Sequence, residues 1–252
     1  MRTLTMMTYV LVGGAWLPGA AWEAVADDLR GRGHTVHPVT LPGIGERRAE
    51  ATSATNLDTY IEDVVSLIEH GDLHDVVLVG HSYSGIVISG VAPRVASRLG
   101  ALVYVDSAPF EAGEAYVDVL GPDEREALER SVREHGDGWL LPPPELGALG
   151  ASTTGLDASA QAILHASMTP QPWATWMQPL RLTGAGRAPD HYRRIAIACD
   201  DMRQLVAMGI PRMTALTREP WEWIELATGH WPMVSAPADL SDALDGIAGG
   251  GR

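Results

Sequence analysis

Ser82 is the side chain whose sequence setting best suits a nucleophile. It lies in Val77-Leu78-Val79-Gly80-His81-Ser82-Tyr83-Ser84-Gly85, between an apolar run that reads as a strand and one that reads as a helix. A serine at such a strand-to-helix turn holds its hydroxyl out of the sheet, at a helix N-terminus. There the backbone N–H groups and the helix dipole favour developing negative charge. The pattern is G-x-S-x-G, with Ser84 standing at the second glycine and Gly85 one place on. Serine is also small, so the turn is expected to persist at some strain. A serine hydroxyl is a weak nucleophile and needs a base. His230 supplies one 148 residues downstream, in Thr-Gly-His-Trp-Pro-Met, directly after the last predicted strand. Of the nine histidines, His81 is expected to pack beneath the turn, whereas His34, His37, His70, His74, His135, His165 and His191 lack metal-ligand spacing.

A carboxylate should orient that histidine, and two strand ends offer one: Asp106 after the fourth strand, and Asp201 (less favourably Asp200) after the fifth. Spacing does not separate them. An oxyanion hole would combine the N–H of Tyr83 with that of Ala15, in the first strand-to-helix loop Gly13-Gly14-Ala15-Trp16.

The elements that must position these groups alternate as βαβ units. Strands are predicted at Tyr9 to Val12, His34 to Val39, Asp75 to Gly80, Ala101 to Val105, Ile195 to Cys199 and Glu222 to Ala227. Helices are predicted from Ala20 to Arg30, after the cap residue Asn56, from Ile86 to Ala96 and from Ala238 to Ile247. These predict an α/β fold with a mostly parallel sheet of about six strands. The stretch from Ser107 to Pro189 breaks the rhythm and is too long for a crossover loop. It carries helical patterns at Pro122 to His135, Asp157 to Ser167 and Pro170 to Leu180, with the stiff connector Pro142-Pro143-Pro144. The expected organisation is one domain: a core of residues 1–106 and 190–252, with 107–189 as a helical cap inserted before the fifth strand.

Composition narrows the chemistry further. The chain has 252 residues, 46% hydrophobic and 20% charged, which suits one globular α/β domain. All 18 basic residues are arginine, so Schiff-base, P-loop and general-base lysines are excluded. A net charge of −14 argues against a nucleic-acid partner. The single cysteine, Cys199, rules out an intramolecular disulfide and a multi-cysteine metal site. The apolar Met6 to Trp22 stretch is interrupted by Gly13-Gly14 and Pro18, unlike a signal peptide, and no run suits a membrane span. No cofactor or metal is implied, and a cytoplasmic location is expected; a homodimer is left open.

The stretches VLVGGAWLPGAAW (10–22), LPGIGER (41–47), DVVLVGHSYSGIVI (75–88), LVYVD (102–106) and TGHWPM (228–233) together resemble the α/β-hydrolase superfamily. Within it they are similar to the small serine esterase branch of plant methylesterases, hydroxynitrile lyases and bacterial pyrethroid-type hydrolases. The resemblance implies an α/β-hydrolase fold, Ser82 as nucleophile, His230 as base, and Ala15 and Tyr83 as oxyanion donors. Asp106 and the Asp200-Asp201 pair match acid positions used by different branches. Asp106 is preferred because LVYVD matches the bacterial branch most directly, with Asp201 as the alternative. Gly13 departs from the histidine usual in that loop, and the absence of lysine disfavours the lyase chemistry. The expected activity is hydrolysis of a carboxylic ester or lactone of a small to medium apolar or aromatic substrate. Trp16, Trp173, Trp176, Met177 and Trp231 are candidate walls, with Leu140 and Leu141 as further candidates. Two rivals stand beside it: a secondary-metabolism tailoring enzyme (cyclase, acyl transfer or C–C hydrolysis) on the same triad, and a non-hydrolytic ligand-binding protein.

Overall fold

Strand β3 (Val76–His81) is apolar and buried along its whole length, as a strand covered on both faces must be. The computed structural model describes residues 6–182 and 192–249 and places β3 near the middle of a six-stranded sheet. The other strands are β1 (Thr8–Val12), β2 (Thr35–Val39), β4 (Leu99–Val105), β5 (Arg193–Ala198) and β6 (Trp221–Glu225). Their order is β2-β1-β3-β4-β5-β6, and every neighbouring pair is parallel. The chain order reverses where β1 meets β3, so their carboxyl ends open a crevice of the kind that holds ligands in open α/β sheets.

Helices α1 (Glu23–Gly31), α2 (Leu57–His70) and α3 (Ser84–Val91) follow β1, β2 and β3. Asn56 caps α2 reciprocally with Thr59, each side chain accepting from the other's backbone N–H; such a cap stabilises a helix by about 1 kcal/mol. Leu57, Tyr60, Ile61, Val64, Val65 and Ile68 then bury one face of α2, which packs against α3. Helix α3 starts two residues before the predicted Ile86 and ends at Val91 rather than Ala96. Pro93 accounts for the early stop, since it has no N–H to donate to the Ser89 carbonyl four residues back.

Between β4 and β5 the described chain runs through Tyr116–Val119, a 3-10 turn, then α4 (Pro122–His135) and α5 (Ala158–Ser167). The predicted helix over Pro170 to Leu180 is only the single turn α6 (Ala174–Met177). Its first residues, Gln171–Pro172, instead pair antiparallel with Leu140–Leu141. The expected boundary of the insertion at 189–190, and His191, lie outside the described residues. After β5 come α7 (Asp200–Ala207), then β6 and a C-terminal helix over Pro237–Gly249 that packs on α1. No helix among the described residues is long and apolar enough to cross a membrane.

Candidate active site

Ser82 directly follows β3 with φ at +50°, a left-handed backbone that non-glycine residues adopt at a cost. The turn is held from several sides. The Ser82 N–H donates to the Val105 carbonyl at 3.1 Å, and the Ser107 hydroxyl donates to the Ser82 carbonyl at 2.6 Å. Ser84, at the second glycine position, is fully buried, and its hydroxyl donates to the Gly13 carbonyl, tying the turn to the first loop. The close approach expected of a glycine falls to Gly85, where a Cβ would stand 2.2 Å from the Ser107 Oγ.

His230 follows β6, and its Nε2 is 2.8 Å from the Ser82 Oγ. Its Nδ1 lies 2.6 Å from the Asp106 Oδ2 and 3.3 Å from the Asp201 Oδ2. The two aspartates that spacing leaves undivided thus converge on one ring nitrogen, but they are held differently. Asp106 has φ at +44° and a side chain only 1% exposed; its Oδ1 accepts the N–H groups of Cys199 at 3.1 Å and Met202 at 3.2 Å. Asp201 is 18% exposed, lies in the first turn of α7, and accepts the Ser152 N–H at 2.9 Å. Ser152 in turn accepts the His230 N–H on its carbonyl at 2.8 Å, so the insertion braces both partners.

Burial alone would lower the pKa of His230. Hydrogen bonds to Asp106 and Asp201 outweigh that and raise it to about 9. Since this lies above the usual value of about 6.5, the charged ring contributes stability below pH ~6.5. That contribution is lost as pH rises through about 9. Asp106, Asp201 and His230 are also the one group among the described residues whose atoms could hold a metal. The 2.6 Å separation of Nδ1 from Asp106 is that of a shared proton. It is closer than two ligands each about 2.1 Å from one tetrahedral ion would stand.

His81 is buried beneath the turn. Its Nε2 donates to the His230 carbonyl at 2.6 Å, and burial together with the His230 charge keeps its pKa well below the usual range. The Cys199 thiol, pushed far up by burial and by Asp106, Asp200 and Asp201, offers no second nucleophile. Among the described residues, the backbone N–H groups of Ala15 and Tyr83 make no hydrogen bond, whereas their neighbour Trp16 donates its N–H to the Gln171 Oε1 at 3.0 Å. Gly14 lies against Ser82: a Cβ there would stand 2.6 Å from the His81 Nδ1 and 3.2 Å from the Ser82 Cβ.

Ser82, His230, both aspartates, His81, Gly14 and Ala15 border a cavity of about 630 Å³, whereas the Tyr83 side chain packs away from it. Of the five predicted wall residues, Trp16, Trp176 and Trp231 line it. Trp173 and Met177 do not. The Trp173 ring stacks behind Trp176 at 6.0 Å, and the Met177 sulfur faces the Arg125 guanidinium 3.9 Å away. Leu140 and Leu141 also lie off the wall, since the Leu141 carbonyl accepts the Trp16 indole N–H at 3.0 Å. Several lining residues carry no recognisable motif, among them Tyr116, which sits in a 3-10 turn and shares the cavity wall with Ser82.

A family model described as the alpha/beta hydrolase family matches residues 9–243. The chain belongs to the alpha/beta hydrolase family. A carbendazim-hydrolysing esterase from Nocardioides sp. (strain SG-4G) is 32% identical to this hydrolase over 95% of the chain and 98% of the relative. A putative chloroplastic methylesterase 14 of Arabidopsis thaliana is 26% identical over 98% of the chain and 73% of the relative. Among solved structures, an extracellular alpha/beta-hydrolase from a Paenibacillus species superposes with a TM-score of 0.79 at 21% identity, over 96% of this chain and 98% of that one. Tomato methylketone synthase I superposes at 0.74 and 16% identity, with the same coverage. At these identities the structural likeness concerns the fold.

Proposed function

We propose that the hydrolase is a cofactor-independent serine esterase that cleaves a carboxylic ester or lactone of a small to medium apolar or aromatic substrate through an acyl-enzyme. The observation that carries this is the relay of Ser82 Oγ, His230 Nε2 at 2.8 Å, and His230 Nδ1 to Asp106 at 2.6 Å, at the wall of an aromatic cavity. Ser82 Oγ attacks the carbonyl carbon and gives its proton to His230 Nε2. The free amides of Ala15 and Tyr83 receive the oxyanion, where fixed donors act on charge only as it develops. As the C–O bond breaks, the leaving oxygen takes the proton from His230. Water then attacks the acyl-enzyme with the same histidine as base. Asp106 fixes the ring so that Nε2 faces the serine and stabilises the imidazolium. The esterase names of the relatives support an ester as substrate, and the tryptophan walls support an apolar or aromatic one.

The test is hydrolysis of a short p-nitrophenyl ester by wild type and Ser82→Ala, with intact mass after fluorophosphonate treatment. Burst turnover and a single phosphonate adduct, both absent in the variant, are expected. A folded wild type with neither would overturn the proposal.

Two further results follow from the geometry. A general base must be neutral, and the pH profile of kcat/KM reports the free enzyme. With His230 raised to about 9, activity should climb with pH toward 9 rather than level off in the usual histidine range. Asp201→Asn, by removing one of the carboxylates that raise it, should move that limb to lower pH. Gly14→Ala should lower kcat/KM on the order of 10²-fold with the fold retained by circular dichroism, because the added carbon displaces the loop bearing the Ala15 amide.

A further inference from the structure

Tyr116 comes from the segment between β4 and β5, yet it lines the same cavity as Ser82. Its ring is fixed by three aromatic neighbours: Tyr83 at 4.9 Å, Trp176 at 4.7 Å edge-on, and Phe110 stacked at 5.6 Å. These contacts hold the ring at the wall of the cavity that Ser82 also lines. The relay described above leaves it unused.

We propose that Tyr116 is a catalytic hydrogen-bond donor to the leaving oxygen of the ester. The inference rests on the serine-esterase reading. Once the substrate carbonyl oxygen occupies the Ala15 and Tyr83 amides, the tetrahedral carbon carries two other oxygens, Ser82 Oγ and the alkoxy oxygen. His230 bonds Ser82 Oγ at 2.8 Å, and Tyr116 brings an O–H donor to the same cavity wall, so both stand beside this pair. His230 delivers the proton that leaves with the alcohol. Tyr116 keeps its own proton and donates a hydrogen bond to the alkoxy oxygen as the C–O bond breaks and negative charge builds there. Burial, only partly offset by Ser82 and reinforced by Asp106, pushes the phenol up to about 12, so it remains a neutral donor wherever the enzyme works.

Assistance of this kind matters most for a strongly basic leaving group and least for a stable phenolate. The experiment compares wild type with Tyr116→Phe, which keeps the ring contacts, on the alkyl and p-nitrophenyl esters of one acid, reading kcat/KM. The expected loss is on the order of 10²-fold for the alkyl ester and a few-fold for the p-nitrophenyl ester, with fluorophosphonate labelling of Ser82 retained. A purely structural tyrosine would lower both esters equally, and a mere wall would lower neither; either result overturns the inference while the esterase reading stands. A wild type that takes no phosphonate and turns over neither ester removes both.

Discussion

Ser82→Ala should lower kcat on the order of 10⁶-fold while leaving the melting temperature close to that of wild type. The large factor reflects groups acting as a unit. Without Oγ, the His230 Nε2 2.8 Å away has no proton to accept, and the Ala15 and Tyr83 amides have no oxyanion to receive. His230→Ala should cost a similar factor, and the double variant little more than either alone. Stability should hardly change, because the turn is secured by the Ser82 backbone, through Val105 and Ser107, rather than by its hydroxyl. Alanine at +50° carries a strain similar to that of serine. The measurement is single-turnover hydrolysis beside a thermal melt. A Ser82→Ala variant retaining more than a hundredth of wild-type kcat would remove serine from the chemistry.

The second large effect distinguishes the aspartates. Asp106→Asn should lower kcat on the order of 10⁴-fold, because an amide in that place favours the wrong imidazole tautomer. Asp201→Asn should lower it about tenfold or less, an effect of the size seen when a hydrogen bond to a charged group is lost. The difference rests on placement. The Asp106 carboxylate is enclosed at 1% exposure, 2.6 Å from Nδ1, and clamped by two backbone amides; that of Asp201 is 3.3 Å away and partly open to solvent. Equal losses would mean that the two carboxylates share the role, and a reversed ranking would assign it to Asp201. The two share a partner, so the double variant is expected to be non-additive, and a double-mutant cycle would measure their coupling.

Much of this was legible in the sequence because its signals are local. A continuous apolar run ending in Gly-His-Ser-Tyr can hardly be anything but a buried strand feeding a tight turn, and the Thr-Gly-His after the last strand falls on the same sheet edge. The choice of acid was not legible. Asp106 and Asp201 both follow strands, and only the enclosure of one by the Cys199 and Met202 amides separates them. The wall was half legible. Periodicity shows that Trp173, Trp176 and Met177 pack, but not which of them faces the cavity, and Pro172, drawn into a two-residue strand, turned the segment from its expected course. Tyr116 carried no local signal, since only the fold brings it to the cavity that Ser82 lines.

Trp16 has φ at +65°, and it reaches the insertion three times. Its N–H donates to Gln171, its indole N–H to the Leu141 carbonyl, and its own carbonyl accepts the Thr169 N–H at 3.1 Å. It is also the residue next to Ala15. On the proposed mechanism, swinging the insertion away like a lipase lid would break these three bonds and disturb the loop that carries the Ala15 amide. An opened state would be a disarmed one, and adsorption to an oil–water interface should bring no activation. Val119 and Met208 stand exposed on the cavity lining, so on the proposed reading a greasy doorstep would favour solutes that partition out of water before any chemistry begins.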